Sequence, residues 1–217
     1  MSTPTQTAMP TAPAPGTPRA SRSGIVPYRL TVGQFERMID AGVFRDEDHV
    51  ELLGGVLVDK MTTNDPHDFA VDQLGAILTR GLPADWIARQ EKSVVLGRFW
   101  RPQPDVAVAR GPRERYDSTA PKVADLGMLT EVADSSYPKD RGTKWRKYAA
   151  CRIPFYWILN LPHRRLEVYS VPAGRGKAAE YRDDKLYGPD DEVPVTLEGR
   201  ELLRIKVSDL LPRVVKS

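Results

Sequence analysis

Cysteine is almost absent from this chain: of 217 residues only Cys151 is a cysteine, so no intrachain disulfide can form. A reducing, cytoplasmic setting fits that composition. Histidine is scarce too. His49, His67 and His163 show no paired spacing with one another or with Cys151, which argues against a structural zinc site. Apolar runs extend for only a few residues, too short for a transmembrane helix, so no membrane partner is expected. The glycine patterns GxGxxG, P-loop and GxSxG are missing, which withdraws support from dinucleotide, nucleoside-triphosphate and serine-hydrolase chemistry. No internal repeat is found.

An excess of one charge sign is also lacking where it would matter. The chain has 32 Lys and Arg against 29 Asp and Glu. Residues 1–24 contain Arg19 and Arg22 and no acid, so the remainder carries 30 basic against 29 acidic residues. Net charge therefore says little about partners, and only a local cluster can. One such cluster is present: Lys139, Arg141, Lys144, Arg146, Lys147 and Arg152, opposed within that stretch by Asp140 alone. A solvated helix face would have the same composition.

Residues 1–24 are rich in Pro, Thr, Ala and Ser and have no aromatic residue. Such a segment cannot bury enough surface to offset chain entropy and is expected to be a disordered tail. A single domain is expected over 25–210, with 211–217 as a flexible C-terminus. Thr31 is placed to cap a helix over 32–41 whose inner face is Phe35, Met38 and Ile39. A hairpin is expected about Gly54-Gly55, then a helix over 67–80 carrying Phe69, Leu74, Ile77 and Leu78 inward. Strands follow at 86–96, 104–109 and 126–133, and a helix at 138–151. The continuous apolar run Phe155 to Leu159 predicts a strand buried on both faces. Leu166 to Val171 is another strand, and short antiparallel strands fill 178–208. This order predicts an α+β domain with a mixed central sheet flanked by helices and extra C-terminal antiparallel strands.

Asp105 lies in Pro104-Asp105-Val106-Ala107-Val108 and Glu131 in Leu129-Thr130-Glu131-Val132-Ala133. A carboxylate in or beside a short apolar β-prone run is costly unless a cation meets it. Neighbouring strands lie about 4.8 Å apart, so two such acids in register can reach one divalent ion, with the Val132 carbonyl as a further oxygen ligand. A hard ion held this way, with a lysine nearby, is what phosphodiester hydrolysis requires. On spacing alone, ordinary ion pairing of the two acids is the commoner outcome.

The ordered set Glu51-Leu52-Leu53-Gly54-Gly55, His67, Pro104 to Val108, Glu131-Val132, Asp140-Arg141-Gly142-Thr143-Lys144 with Tyr148, Ile153 to Trp157 and Leu166 to Tyr169 resembles the Uma-two (Uma2) family, described as putative restriction endonucleases, over about residues 28–208. The resemblance implies a PD-(D/E)xK-type nuclease fold. It implies that Asp105 and Glu131 bind metal, that Glu51 binds it directly or through water, and that the site takes Mg²⁺, with Mn²⁺ as an alternative. The lysine of the standard pattern would stand at position 133, which is Ala133 here, and the family's helix lysine matches Lys144. Lys147 is the alternative, three residues along the helix. Lys147, Arg141 and His67 are candidates for phosphate contact, although helix-start capping with surface placement is the reading favoured for His67. Two departures stand out. The family's acid three residues after Glu51 is Gly54, and the Ser-Pro-Ser stretch after the Glu131 strand reads Asp134-Ser135-Ser136, with an extra charge at the rim.

Core packing is expected for Trp157, Trp145 and Cys151, and base stacking is open to Trp86 and Trp100. The function expected is Mg²⁺-dependent cleavage of DNA by a metal-activated water, with loops 61–66 or 111–122 as sites of base contact. The alternative is a catalytically silent nuclease-fold module that binds or assembles, with homodimer formation through the C-terminal β region.

Overall fold

Thr31 begins the first helix in the way its side chain dictates. Its hydroxyl accepts the Gln34 N–H, while the Gln34 side chain receives the Thr31 N–H at 2.9 Å, a reciprocal capping box for α1 (Val32–Asp40). In this computed structural model, residues 26–45, 48–60 and 64–213 are described. The expected tail, residues 1–24, lies outside them, as do residues 214–217 of the expected C-terminus and 61–63 of one expected base-contact loop. α1 buries Val32 and Phe35; Ile39, expected inward, is exposed.

Two glycines with left-handed φ, Gly54 at 66° and Gly55 at 86°, close the hairpin of β1 (Val50–Leu53) and β2 (Val56–Asp59). α2 (Asp65–Gly81) follows, capped by the Asn64 side chain, which accepts the His67 N–H at 3.1 Å, and with Pro66 in its first turn. Its inner face is Ala70, Val71, Leu74, Gly75 and Leu78, and Phe69 points outward. Small residues explain the difference. A Cβ on Gly75 would lie 2.2 Å from the Gln90 side chain, so the helix approaches the sheet through Ala and Gly, one position round from Phe69.

Six strands form the central sheet in the order β3-β4-β5-β6-β7-β8: β3 (Trp86–Gln90), β4 (Val106–Arg110), β5 (Leu126–Ala133), β6 (Phe155–Asn160), β7 (Arg165–Ala173) and β8 (Glu180–Tyr187). Every pair is antiparallel except β5 with β6. A parallel pair needs a crossover, and the helical segment after β5 supplies it. That segment was expected as one helix. It consists of α3 (Tyr137–Lys139), a π-helical turn Asp140–Lys144, and α4 (Trp145–Ala150). Gly142 within the turn is a poor helix former, and π-turns of this kind often mark functional positions.

The sheet is buried on both sides. On one face α2 and the hairpin of β9 (Glu192–Leu197) and β10 (Arg200–Lys206) enclose Leu74, Val106, Val132, Trp157 and Val195. On the other, α4 covers Leu129, Tyr148, Tyr156, Ile158 and Tyr169. Trp157 belongs to the first core, as expected. Trp86 does as well, at 7% exposure, so it is a packing residue under the Arg110 guanidinium and has no free face for a base. No helix among the described residues is long and apolar enough to cross a membrane.

Candidate functional site

At one end of the sheet the β4–β5 register puts two acids side by side. Val106 pairs with Thr130, so the next residues out, Asp105 and Glu131, face each other. Both are 2% exposed. Three other elements converge there: the β1–β2 hairpin with Glu51 and Lys60, the start of α2 with His67, and the π-turn with Asp140 and Lys144.

Asp105 is held from three sides. Lys60 Nζ lies 2.8 Å from its Oδ1, His67 Nε2 lies 3.3 Å from its Oδ2, and the Val132 N–H donates to Oδ2 at 2.7 Å. Glu131 accepts from Lys144 Nζ at 2.9 Å and from the Tyr148 hydroxyl at 2.8 Å. Lys144 also reaches Glu51 Oε1 at 3.1 Å and lies 3.8 Å from Asp140 Oδ1. Glu51, fully buried, accepts the Gln103 N–H at 2.9 Å and lies 3.3 Å from Lys139 Nζ.

Charges this close and this dry perturb one another. Burial raises the Asp105 carboxyl, but the His67 hydrogen bond and the Lys60 charge outweigh it and hold the group well below the usual carboxylate range. His67 and Lys60 shift upward in return, Asp105 overcoming the burial that would lower them. Glu131 goes the other way. Burial, reinforced by Asp140, Asp105 and Glu51 and opposed chiefly by Lys144, pushes it up to about 8. Lys144 is raised by the surrounding acids despite its burial, so it is a cation held among carboxylates.

A family model described as Uma2, putative restriction endonuclease, matches residues 32–205. The chain belongs to the Uma2 family. No curated protein matches it. Among solved structures, a putative nuclease belonging to DUF820 from Anabaena variabilis has a similar fold, with a TM-score of 0.60 over 83% of this chain and 97% of that one at 17% identity.

Four residues read from the Uma2 resemblance thus meet in one place: Asp105, Glu131, Glu51 and Lys144. The first, second and fourth line a cavity of about 40 Å³, with Lys60, His67, Val132 and Asp140. Glu51 does not line it and touches it only through the two lysines it holds. His67 is 8% exposed and faces Asp105, so surface placement is corrected. Its N–H is the capped group, and its ring belongs to the site. Lys147 and Arg141 do not line the cavity. Lys147 lies over the Trp100 ring at 5.3 Å, and Arg141 lies over Tyr169 at 4.8 Å, 3.7 Å from Glu167. Asp134 lines the rim, and its carboxylate is occupied by the Asn64 amide at 2.8 Å.

Lys60 was not among the residues singled out from sequence. It follows an ordinary hairpin strand, and nothing local separates it from a surface lysine. The signal available was its place one residue beyond Asp59, the hairpin partner of Val50 beside Glu51. Asp140 stands in the motif that resembles Uma2 but was given no role there and was counted as the one acid opposing a basic cluster, yet it is 1% exposed.

The donor set suits a hard divalent ion. Asp140 Oδ1 is buried with no hydrogen-bond partner among the described residues, and Asp105 Oδ1 is met by the Lys60 ammonium. In an extended strand the N–H and C=O of one residue face the same edge, so the Val132 carbonyl faces the side on which its N–H meets Asp105. Among the described residues no group of three or more His, Cys, Asp or Glu side chains is placed to hold a metal ion. Mg²⁺ does not require one: it typically keeps several waters and takes one or two carboxylates plus substrate phosphate.

Proposed function

We propose that this Uma2 chain is an endonuclease that hydrolyses DNA phosphodiester bonds with a divalent metal, Mg²⁺ or Mn²⁺. The observation that carries this reading is the juxtaposition of Asp105, Glu131 and Lys144 in one small cavity, beside a buried Asp140 Oδ1 with no hydrogen-bond partner among the described residues. The working unit is residues 25–210.

Asp105 and Glu131 are the side chains that would hold the ion, with the Val132 carbonyl beside them. When bound, a divalent ion lowers the pKa of a coordinated water and neutralises charge on the leaving oxygen. Lys144, fixed by Glu51 and Glu131, presents a buried positive charge to the cavity, where it steadies negative charge developing on the phosphoryl oxygens or orients the attacking water. Lys60 and His67 line the same cavity, and the lysine charge is suited to a phosphate oxygen. Glu51 is a positioning residue for Lys144 and Lys139. Phosphate contacts of this kind align a strand without reading its bases.

One observation favours a second reading, a nuclease fold that binds without cutting. Each central acid already has a protein cation: Lys60 on Asp105 and Lys144 on Glu131. Cleavage of supercoiled plasmid separates the two. Wild type is expected to nick it with Mg²⁺ or Mn²⁺ and not in EDTA, while folded Asp105→Ala and Lys144→Ala proteins lose at least a hundredfold in rate, the order seen when one transition-state donor is removed. Intact plasmid under every metal with folded wild-type protein would leave the silent module standing.

A further inference from the structure

β3 is an edge strand of the six-stranded sheet, and beside it opens a second, larger cavity of about 560 Å³. Three cations line it: Arg89 on β3, Lys92 just beyond it, and Arg113 on the 3-10 turn Arg113–Tyr116. None of the three has an ion-pair partner among the described residues. Glu114 and Asp117 also line the cavity and neutralise none of them at contact distance.

Two buried polar atoms in its walls are left without partners. The Arg89 guanidinium lies over the Tyr116 ring at 4.9 Å, and its Nε is buried with no acceptor. The Tyr116 hydroxyl is buried and unpaired as well, on a side chain only 9% exposed. Arg113 places one N–H on the Ala88 carbonyl at 3.3 Å. Buried polar groups without partners are rare in folded proteins and call for an explanation, of which a bound ion is one. Burial lowers the Arg89 pKa, outweighing Tyr116, which raises it, and Arg113 adds a smaller lowering; an anion would relieve both lowering effects.

Position ties this cavity to the carboxylate site. Arg89 pairs with Ala107, two residues along from Asp105, or roughly 7 Å at strand spacing. Glu91, next to Lys92, donates its N–H to the Asp105 carbonyl at 2.9 Å and its carboxylate lies 3.3 Å from Lys60 Nζ. One strand of a duplex carries a phosphate about every 3.4 Å of axis, so a chain held at Asp105 has further phosphates within this reach.

We propose that the cavity is a phosphate-binding subsite, in which Arg89 and Arg113, with Lys92, hold a backbone phosphate of the DNA strand whose reacting bond lies at Asp105 and Glu131. The inference rests on the nuclease reading. Guanidinium groups suit the role because their planar N–H forks match phosphate oxygens, and the contact is blind to sequence.

The test is the salt dependence of binding to a duplex oligonucleotide, followed by fluorescence anisotropy in EDTA and again in Ca²⁺. The proteins compared are wild type, Arg113→Gln, the double variant Arg89→Gln/Arg113→Gln, and Arg182→Gln as a control at an exposed arginine on β8. Loss of one phosphate contact lowers the slope of log K against log salt by about 0.9. The double variant should therefore bind more weakly at low salt and lose about threefold less affinity than wild type between 50 and 200 mM salt. Arg113→Gln should move the same way, and Arg182→Gln should not move. Thermal unfolding checks each fold, and if the double variant does not fold, Arg113→Gln decides. Binding with an unchanged slope in the folded arginine variants would overturn the subsite and leave the nuclease reading in place. No binding by wild type in either condition would fail the nuclease reading and the subsite with it.

Discussion

Lys144 is 1% exposed and lies within 3.1 Å of both Glu51 and Glu131. A buried ammonium is tolerated only with such company. The two acids are not equivalent: Glu131 lines the cavity and Glu51 stands behind the lysine. Glu51→Gln should therefore lower kcat for plasmid cleavage by about 10- to 100-fold, as outer-shell partners do. The KM for DNA and the Mn²⁺ affinity should stay within a few-fold of wild type. Calorimetry showing metal affinity lost as completely as in Asp105→Ala would instead make Glu51 a ligand. At this scale the acids and the helix lysine were legible because each sits in a short motif of distinctive order. Lys60 and Asp140 were not, since their roles arise from contacts between segments far apart in sequence.

α3, which leads into the π-turn carrying Asp140 and Lys144, is tied to the sheet by a buried acid on β7. Glu167 on β7 accepts from the Tyr137 hydroxyl at 3.1 Å, Asn160 Nδ2 at 3.3 Å and Arg165 at 2.9 Å, and from the Tyr169 hydroxyl. Burial raises its pKa, yet these donors outweigh burial and the net shift is downward. A depressed carboxyl contributes stability above its unfolded value, near 4.5, and that contribution is lost as pH falls through the folded value. Glu167→Gln should cost about 2 kcal/mol at pH 7, the scale of hydrogen bonds to a charged group. In urea unfolding the gap to wild type should narrow below about pH 4.5; a gap that stays constant or widens in acid would contradict this assignment. Among the elements, β5 was readable to the residue because eight consecutive positions are buried. β3 was over-extended: Glu91 takes a left-handed φ of 47° and turns the chain out of the sheet after Gln90, which side-chain pattern does not reveal. Phe69 misled for a related reason, because large apolar residues were counted and the Ala and Gly that permit close helix packing were not.

Across the whole molecule, near-equal numbers of acids and bases conceal an uneven distribution. Lys60, Lys139 and Lys144 are committed to buried acids at the sheet end, while Arg89, Lys92 and Arg113 line a cavity without ion-pair partners among the described residues. A neutral sum therefore did not argue against a polyanionic substrate, and the charge that matters is local. The fold class followed from element order. The sheet's one parallel pair, β5 with β6, places the crossover segment over the same sheet end as Asp105 and Glu131 and so completes the site. The central claim is that these two carboxylates hold a divalent ion. Calorimetric titration of Mn²⁺ into wild type, Asp105→Ala and Glu131→Ala tests it most directly. A saturable site in wild type that is lost in both variants is the expected result; unchanged affinity in either folded variant would contradict the account.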